Sequence, residues 1–167
     1  MRLGRLQLPF LISSDEARAL YEGGRANSTA VLYTRLWATV FTRLPGRWIT
    51  LEVPGRVTGR RRRFPLGEAR IDGERYLVSM LGENCNWVRN VRAADGIVKL
   101  RHGRTEHVRL VEIPAQERAP VLKRYVEQVP GVRPHIPVDR HADASAFELI
   151  ASRYPVFKIT RTPRETR

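Results

Sequence analysis

Two periodicities divide this chain. Up to about residue 45 the apolar positions recur at helical spacing. Tyr33, Leu36, Trp37, Val40, Phe41 and Leu44 share one face of a helix opening after Ser28, while Thr34, Arg35, Thr39 and Arg43 lie elsewhere around it. Pro45-Gly46 stops that helix, and a shorter one is predicted from Ser14-Asp15-Glu16 to Gly23-Gly24. From Trp48 the period falls to two. Ile49, Leu51 and Val53 alternate with Trp48, Thr50 and Glu52, the pattern of a half-buried strand. A second strand is predicted from Phe64 to Ile71 and a third from Tyr76 to Leu81, joined by the hairpin signal Asp72-Gly73.

A helix opened by Asn86 follows, with Trp87 and Val91 on one face, closing near Asp95-Gly96. Ile97–Arg101 and Thr105–Ile113 read as a hairpin around His102-Gly103. Gln116–Gln128 reads as a helix interrupted at Pro120, and Pro130–Pro137 as an ordered or extended loop. Ser145 to Glu148 matches a capping box whose helix runs to about Tyr154-Pro155, and Val156–Thr160 is the last strand. Helices followed by five or six mostly antiparallel strands predict an α+β fold around a small barrel or curled sheet. We divide it into a helical segment, 1–45, packed on the same domain, a barrel domain, 46–161, and a polar tail, 162–167.

Composition changes this picture at one point, the charge. The 167 residues carry a formal +13, which implies attraction to nucleic acid, an anionic membrane surface or an acidic small molecule. Codon bias explains scattered arginines, but it explains the run at 60–63 poorly. The single cysteine, Cys85, excludes an internal disulfide and fits a reducing cytoplasm. No apolar run approaches the roughly 20 residues of a membrane span. Leu6–Ile12 is short, contains Pro9 and lacks a small-residue cleavage site, so it reads as uncleaved. The 28–44 helix packs on the domain core in one reading. In the other, its Trp and Phe side lies on a membrane with its arginines outward.

The run at 60–63 belongs to Pro54-Gly55-Arg56-Val57-Thr58-Gly59-Arg60-Arg61-Arg62-Arg63-Phe64-Pro65-Leu66. Gly55 and Gly59 let the backbone turn sharply and bring amides close to a ligand. The arginines are planar, permanently charged forks suited to phosphate or carboxylate oxygens. The segment is an anion site by composition.

Three pieces then stand in order: this turn, the strand end Leu77-Val78-Ser79-Met80-Leu81-Gly82, and the helix Asn86-Trp87-Val88-Arg89-Asn90-Val91-Arg92-Ala93. Together they resemble the actinobacterial deazaflavin-dependent nitroreductase family, flavin/deazaflavin oxidoreductases with a split β-barrel. The resemblance covers residues 46–113 and extends more weakly through Tyr154-Pro155-Val156-Phe157. It implies a split barrel of the FMN-binding, pyridoxamine-phosphate-oxidase-like type, with coenzyme F-420, an 8-hydroxy-5-deazaflavin bearing a phosphate and an oligoglutamate tail, as cofactor; FMN is the second choice. Carried over by position, Arg56, Thr58, Gly59 and Arg62 cradle the phosphate, with Arg60 and Arg61 available to the glutamates. Pro65, Ser79, Met80 and Leu81 line the ring system, and Trp87 and Asn90 fix the helix that closes the pocket. The family often has a lysine where this chain has Val57, and a smaller or polar residue where it has Phe64.

The implied activity is hydride transfer between the reduced cofactor and a small organic acceptor such as a quinone, nitroaromatic or activated alkene. The cofactor carries that chemistry, so no nucleophile or metal is required and none is assigned. Cys85 has no basic neighbour in sequence to activate it and reads as structural. His102, His107, His135 and His141 lack metal-ligand spacing. His135, in the proline-rich loop, is the one candidate proton donor. Nothing like a nucleophile elbow supports a Ser79, His135, Asp139 triad. Two rivals remain: a basic nucleic-acid-binding domain, although no standard motif is present, and a non-catalytic deazaflavin-binding protein. Either a monomer or a homodimer fits the sequence.

Overall fold

The computed structural model describes residues 47–162. The helices expected before residue 45, the membrane-surface reading of 28–44 and most of the polar tail lie outside the described residues. Six strands are present: β1 (Trp48–Pro54), β2 (Arg61–Ile71), β3 (Glu74–Val78), β4 (Ile97–His102), β5 (Arg104–Glu112) and β6 (Val156–Arg161). Helix α1 (Asn86–Ala93) joins β3 to β4, while α2 (Arg118–Gln128) and α3 (Ala144–Glu148) lie between β5 and β6. The strands close into a barrel in the order β1-β2-β3-β6-β5-β4, every pair antiparallel. This is the α+β split barrel expected from the sequence.

Alternation builds two cores on the two sides of one sheet. Ile49, Leu51 and Val53 of β1, with Val98, Leu100, Val108, Leu110, Phe157 and Ile159, fill the barrel. Trp87, Val88 and Val91 of α1 join that cluster, so α1 stoppers one end of the barrel. Trp87 lies on Phe157 with ring centroids 5.4 Å apart and planes tilted by 57°, a geometry favoured by the ring quadrupoles. Outside the barrel, α2 packs Ala119, Leu122, Tyr125 and Val126 against Ala69, Val78 and Val156. Gly67 permits the approach: a Cβ there would come within 2.6 Å of Val129 Cγ1.

Several boundaries differ from the sequence reading, each for a local reason. β2 starts at Arg61 rather than Phe64, because backbone pairing to β1 (Pro54 with Arg61, Val53 with Arg62) continues through residues that have no apolar alternation. β3 stops at Val78, not Leu81. The Ser79 amide donates to the Pro155 carbonyl at 2.9 Å, and Gly82, at φ +83°, turns the chain away. The N-cap of α1 is Cys85; Asn86 is already helical and its side chain serves another residue. Pro120 does not interrupt α2, since it falls in the first turn where its missing N–H costs nothing. The capping box at 145–148 is not formed: Asp143 is the N-cap, α3 ends at Glu148, and a 3-10 turn, Ala151–Arg153, leads to Tyr154. Of the two forms expected for Pro130–Pro137, ordered or extended, the structure has the ordered one, a 3-10 turn over Pro130–His135.

Candidate functional site

The β1–β2 corner is held from within. The Gly55 amide donates to the Arg60 carbonyl and the Gly59 amide to the Gly55 carbonyl, both at 2.8 Å. Gly59 adopts φ +66°, where a side chain would be strained. Arg56 ties the corner to α1. Its backbone amide donates to Asn90 Oδ1 at 3.2 Å, and its guanidinium to Asn90 Oδ1 at 3.1 Å and Asn86 Oδ1 at 3.3 Å. Asn90 is buried, so this latch has a fixed anchor.

Strand alternation then sorts the arginine run. Arg61 and Arg63 share a face with the buried Glu52 and reach its carboxylate at 3.5 and 2.9 Å. The hydrogen bond from Arg63 holds the Glu52 carboxyl below the usual carboxylate range against the opposing effect of burial, with Arg61 and Lys99 adding to it. Arg60 and Arg62 have no side-chain hydrogen bond or ion pair among the described residues. Two exposed guanidiniums beside a glycine turn thus have no counter-ion among the described residues, and they form the donor set that a phosphate or a chain of carboxylates would complete.

The second part of the site follows β3. Ser79 is fully buried; its hydroxyl donates to the Gly82 carbonyl at 2.7 Å and the Gly82 amide returns to the Ser79 carbonyl at 3.1 Å. This knot presents Met80 and Leu81 to a groove of about 460 Å³ whose other lining includes His135, Arg153 and Tyr154. Among the described residues no carboxylate lines it. The Tyr154 hydroxyl donates to the His135 carbonyl at 3.1 Å and joins the two walls. Cys85, buried at the start of α1, has its thiol pushed up by burial, so it is not a ready thiolate.

An ion chain braces the groove from behind. Arg92 of α1 bonds Glu83 at 2.8 Å and reaches both oxygens of Glu112, at 2.7 and 2.9 Å. Glu112 also accepts from the buried Arg118 at 3.1 Å. Arg118 in turn donates to the carbonyls of Ile113, Ala151 and Tyr154. The bonds to Glu112 and Glu83 hold the Arg92 guanidinium protonated well above its ordinary range, and Arg92 lowers the Glu83 carboxyl.

The structure therefore brings Met80, Leu81 and His135 into one groove, and sets Arg56, Thr58, Gly59, Arg60 and Arg62 at one corner latched to α1. Trp87 and Asn90 are buried on α1, one in the barrel and one at the latch. Ser79 supports the groove rather than lining it, and Pro65 is absent from the lining, on the strand face opposite Phe64 and Leu66. Val57 stands at the exposed tip of the corner, and Phe64 packs against the barrel core. Arg153, Gly82 and Pro137 were missed as lining residues. The Tyr154-Pro155 match was a signal for that wall, whereas nothing local in sequence marked Arg153.

Residues 25–141 match the family model described as F420H(2)-dependent quinone reductase. No curated protein matches the chain. Among solved structures it is similar to a domain-swapped dimer at 17% identity, covering 77% of this chain and 98% of that one, with a TM-score of 0.50. It is also similar to a protein of unknown function from Agrobacterium tumefaciens at 14% identity, covering 70% of this chain and 49% of that one, with a TM-score of 0.51. An F-420-H2-dependent reductase aligns at 19% identity over 70% of this chain and 96% of that one, with a TM-score of 0.49.

Proposed function

The chain belongs to the F-420-dependent quinone reductase family and is an F-420-dependent oxidoreductase; on that premise we propose how its residues divide the work. Gly59, Thr58, Arg60 and Arg62 hold the phosphate and acidic tail of the cofactor, and Arg56 fixes their corner to α1. Met80 and Leu81 line the ring system, and Pro65 and Ser79 support it through the strand and the turn. Trp87 and Asn90 anchor the helix behind them. The single observation that carries this reading is the pair of guanidiniums, Arg60 and Arg62, without a partner among the described residues, beside the latched glycine corner.

The bound deazaflavin supplies the hydride. The protein's tasks are to orient the ring, exclude water and hold the acceptor near it. We assign the groove of Met80, His135, Arg153 and Tyr154 to a quinone-type acceptor, with nitroaromatics as the next class. His135 is the candidate to deliver the proton that accompanies hydride addition, and the Arg153 cation suits an acceptor oxygen gaining negative charge. We take the barrel domain as 46–161. A nucleic-acid-binding domain is not favoured by the family match. Among the described residues no helix is long and apolar enough to cross a membrane.

A fluorescence titration of the full chain with oxidised F-420, beside FMN and a short oligonucleotide, tests this reading. Saturable binding of F-420 below about 0.1 mM, stronger than roughly −5.5 kcal/mol, is the expected result. Equal or tighter binding of FMN or the oligonucleotide would overturn it.

A further inference from the structure

Arg153 differs from the arginines packed around the acceptor groove. It closes the 3-10 turn Ala151–Arg153 and lines the groove together with Met80, Leu81 and Gly82. Its main chain is fixed from three directions. The Arg153 amide donates to the Ile150 carbonyl at 3.0 Å. The carbonyls of Ala151 and Tyr154, before and after it, accept from the buried Arg118 at 3.4 and 3.3 Å. The Arg153 carbonyl lies so close to Gly82 that a Cβ there would come within 3.3 Å of it. The side chain is the opposite case: its guanidinium makes no hydrogen bond or ion pair among the described residues.

The groove's own residues do not answer that charge. The carboxylate next to Gly82 belongs to Glu83, and Arg92 holds it at 2.8 Å. The remaining described lining is apolar apart from His135 and Tyr154. Burial raises the Tyr154 hydroxyl above its ordinary range, and the Arg153 charge opposes that rise, so the field of the guanidinium reaches the groove. Met80, Leu81 and the prolines of the lining are sufficient to contact a neutral quinone ring. A guanidinium on a fixed backbone adds a planar fork that matches a carboxylate or sulfonate with two hydrogen bonds. It favours an anionic acceptor over a neutral one of the same ring, a discrimination by charge rather than by size.

We propose that Arg153 selects aromatic acceptors that carry their own anionic group, a carboxylate or sulfonate, and holds that group while the quinone ring is reduced. The proposal rests on the assignment of this groove to the acceptor. Reduction takes a hydride from the reduced cofactor and one proton to give the hydroquinone; the cofactor is oxidised and the anionic group is unchanged. The test is equilibrium dialysis of the F-420-loaded full chain with naphthoquinone sulfonate, whose charge is permanent, beside unsubstituted naphthoquinone, together with steady-state reduction of both. The wild type should bind the sulfonate about tenfold or more tighter, the fold-change of a charge-assisted hydrogen bond. Arg153→Gln should remove that preference, losing about tenfold or more for the sulfonate and about threefold or less for the parent quinone. Arg153→Lys, which keeps the charge without the fork, should fall between the two. In turnover the sulfonate's loss should appear in KM. A fall in kcat alone, equal for both acceptors, would mean that Arg153 meets only charge developing in the reaction, and would overturn the proposal. Unchanged sulfonate affinity in the variant, or a wild type that prefers the parent quinone, overturns it as well. F-420 titration of the variants should match the wild type and report an intact fold. Failure of the wild type to bind F-420 would overturn the cofactor assignment instead, and dialysis of the unloaded chain would still decide for or against Arg153.

Discussion

Arginine does opposite work in two parts of this molecule. At the junction of α1, β5 and α2, Arg92 and Arg118 are saturated: every oxygen they reach belongs to the protein itself. At the β1–β2 corner, Arg60 and Arg62 reach nothing among the described residues, though Arg61 and Arg63 on the opposite face are paired with Glu52. Residue type alone does not distinguish them. Neighbours do: carboxylates at Glu83 and Glu112 are placed by the fold to meet one set, and none of the described carboxylates meets the other.

The sharpest way to break this contrast is at the saturated end. Arg118→Ala removes one of the two cations on Glu112 and the guanidinium donors to the Ile113, Ala151 and Tyr154 carbonyls, and should cost about 3 to 5 kcal/mol in chemical denaturation, because several bonds to one buried guanidinium are lost together. F-420 affinity of the fraction that remains folded should hold near the wild-type value. At the open end the expectation reverses. Arg62→Ala should weaken F-420 by about 1.5 to 3 kcal/mol, the range of a charge-assisted hydrogen bond, while stability shifts by about 0.5 kcal/mol or less. Arg61→Ala, which removes an arginine already paired, should weaken F-420 less. If the two variants lose equally, the sorting by Glu52 has no functional meaning.

The smallest effect concerns acid. Glu52 has its carboxyl lowered in the folded state, so its pairing stabilises the protein fully above the ordinary carboxylate value of 4.5 and is lost as pH falls through the lowered one. Its partners are 70% and 61% exposed, so solvent screens them and the contribution is about 1 kcal/mol or less. Glu52→Gln should therefore flatten the dependence of denaturation midpoint on pH below about 4.5. A slope identical to the wild type would show that the pairing does not form in solution.

Much of this was legible before any coordinates. The period-two runs named the strand interiors, because Ile49, Leu51, Val53, Val98, Leu100, Val108 and Leu110 fill a barrel whose other side is polar or helix-covered. The Asp72-Gly73 hairpin announced itself by turn chemistry, both residues adopting positive φ. The arginine run was visible as an anion site but wrongly bounded, since Arg61–Arg63 are paired by backbone to β1 and their side chains give no periodic signal. The ends of β3 and α3 were misplaced for a different reason: Ser79 answers to Pro155 and Arg118 to Ala151 and Tyr154, contacts made across long separations that no local window holds. The groove's Arg153 wall was illegible on the same account.

One more consequence follows from the strand order. β3 pairs with β6, so Leu77 meets Phe157 only after about eighty intervening positions have been made. At a synthesis rate of about 5 to 20 residues per second, that interval is roughly 4 to 16 s. During it β3 has a bare edge, Ser79 has no Pro155 to bond, and the Tyr154 wall does not exist. The corner of arginines and glycines, by contrast, needs only β1, β2 and α1, which leave the ribosome early. An anion-holding half thus precedes an acceptor-holding half in time, and a nascent chain stalled between them would present a bare strand edge, the feature that molecular chaperones and aggregation compete for.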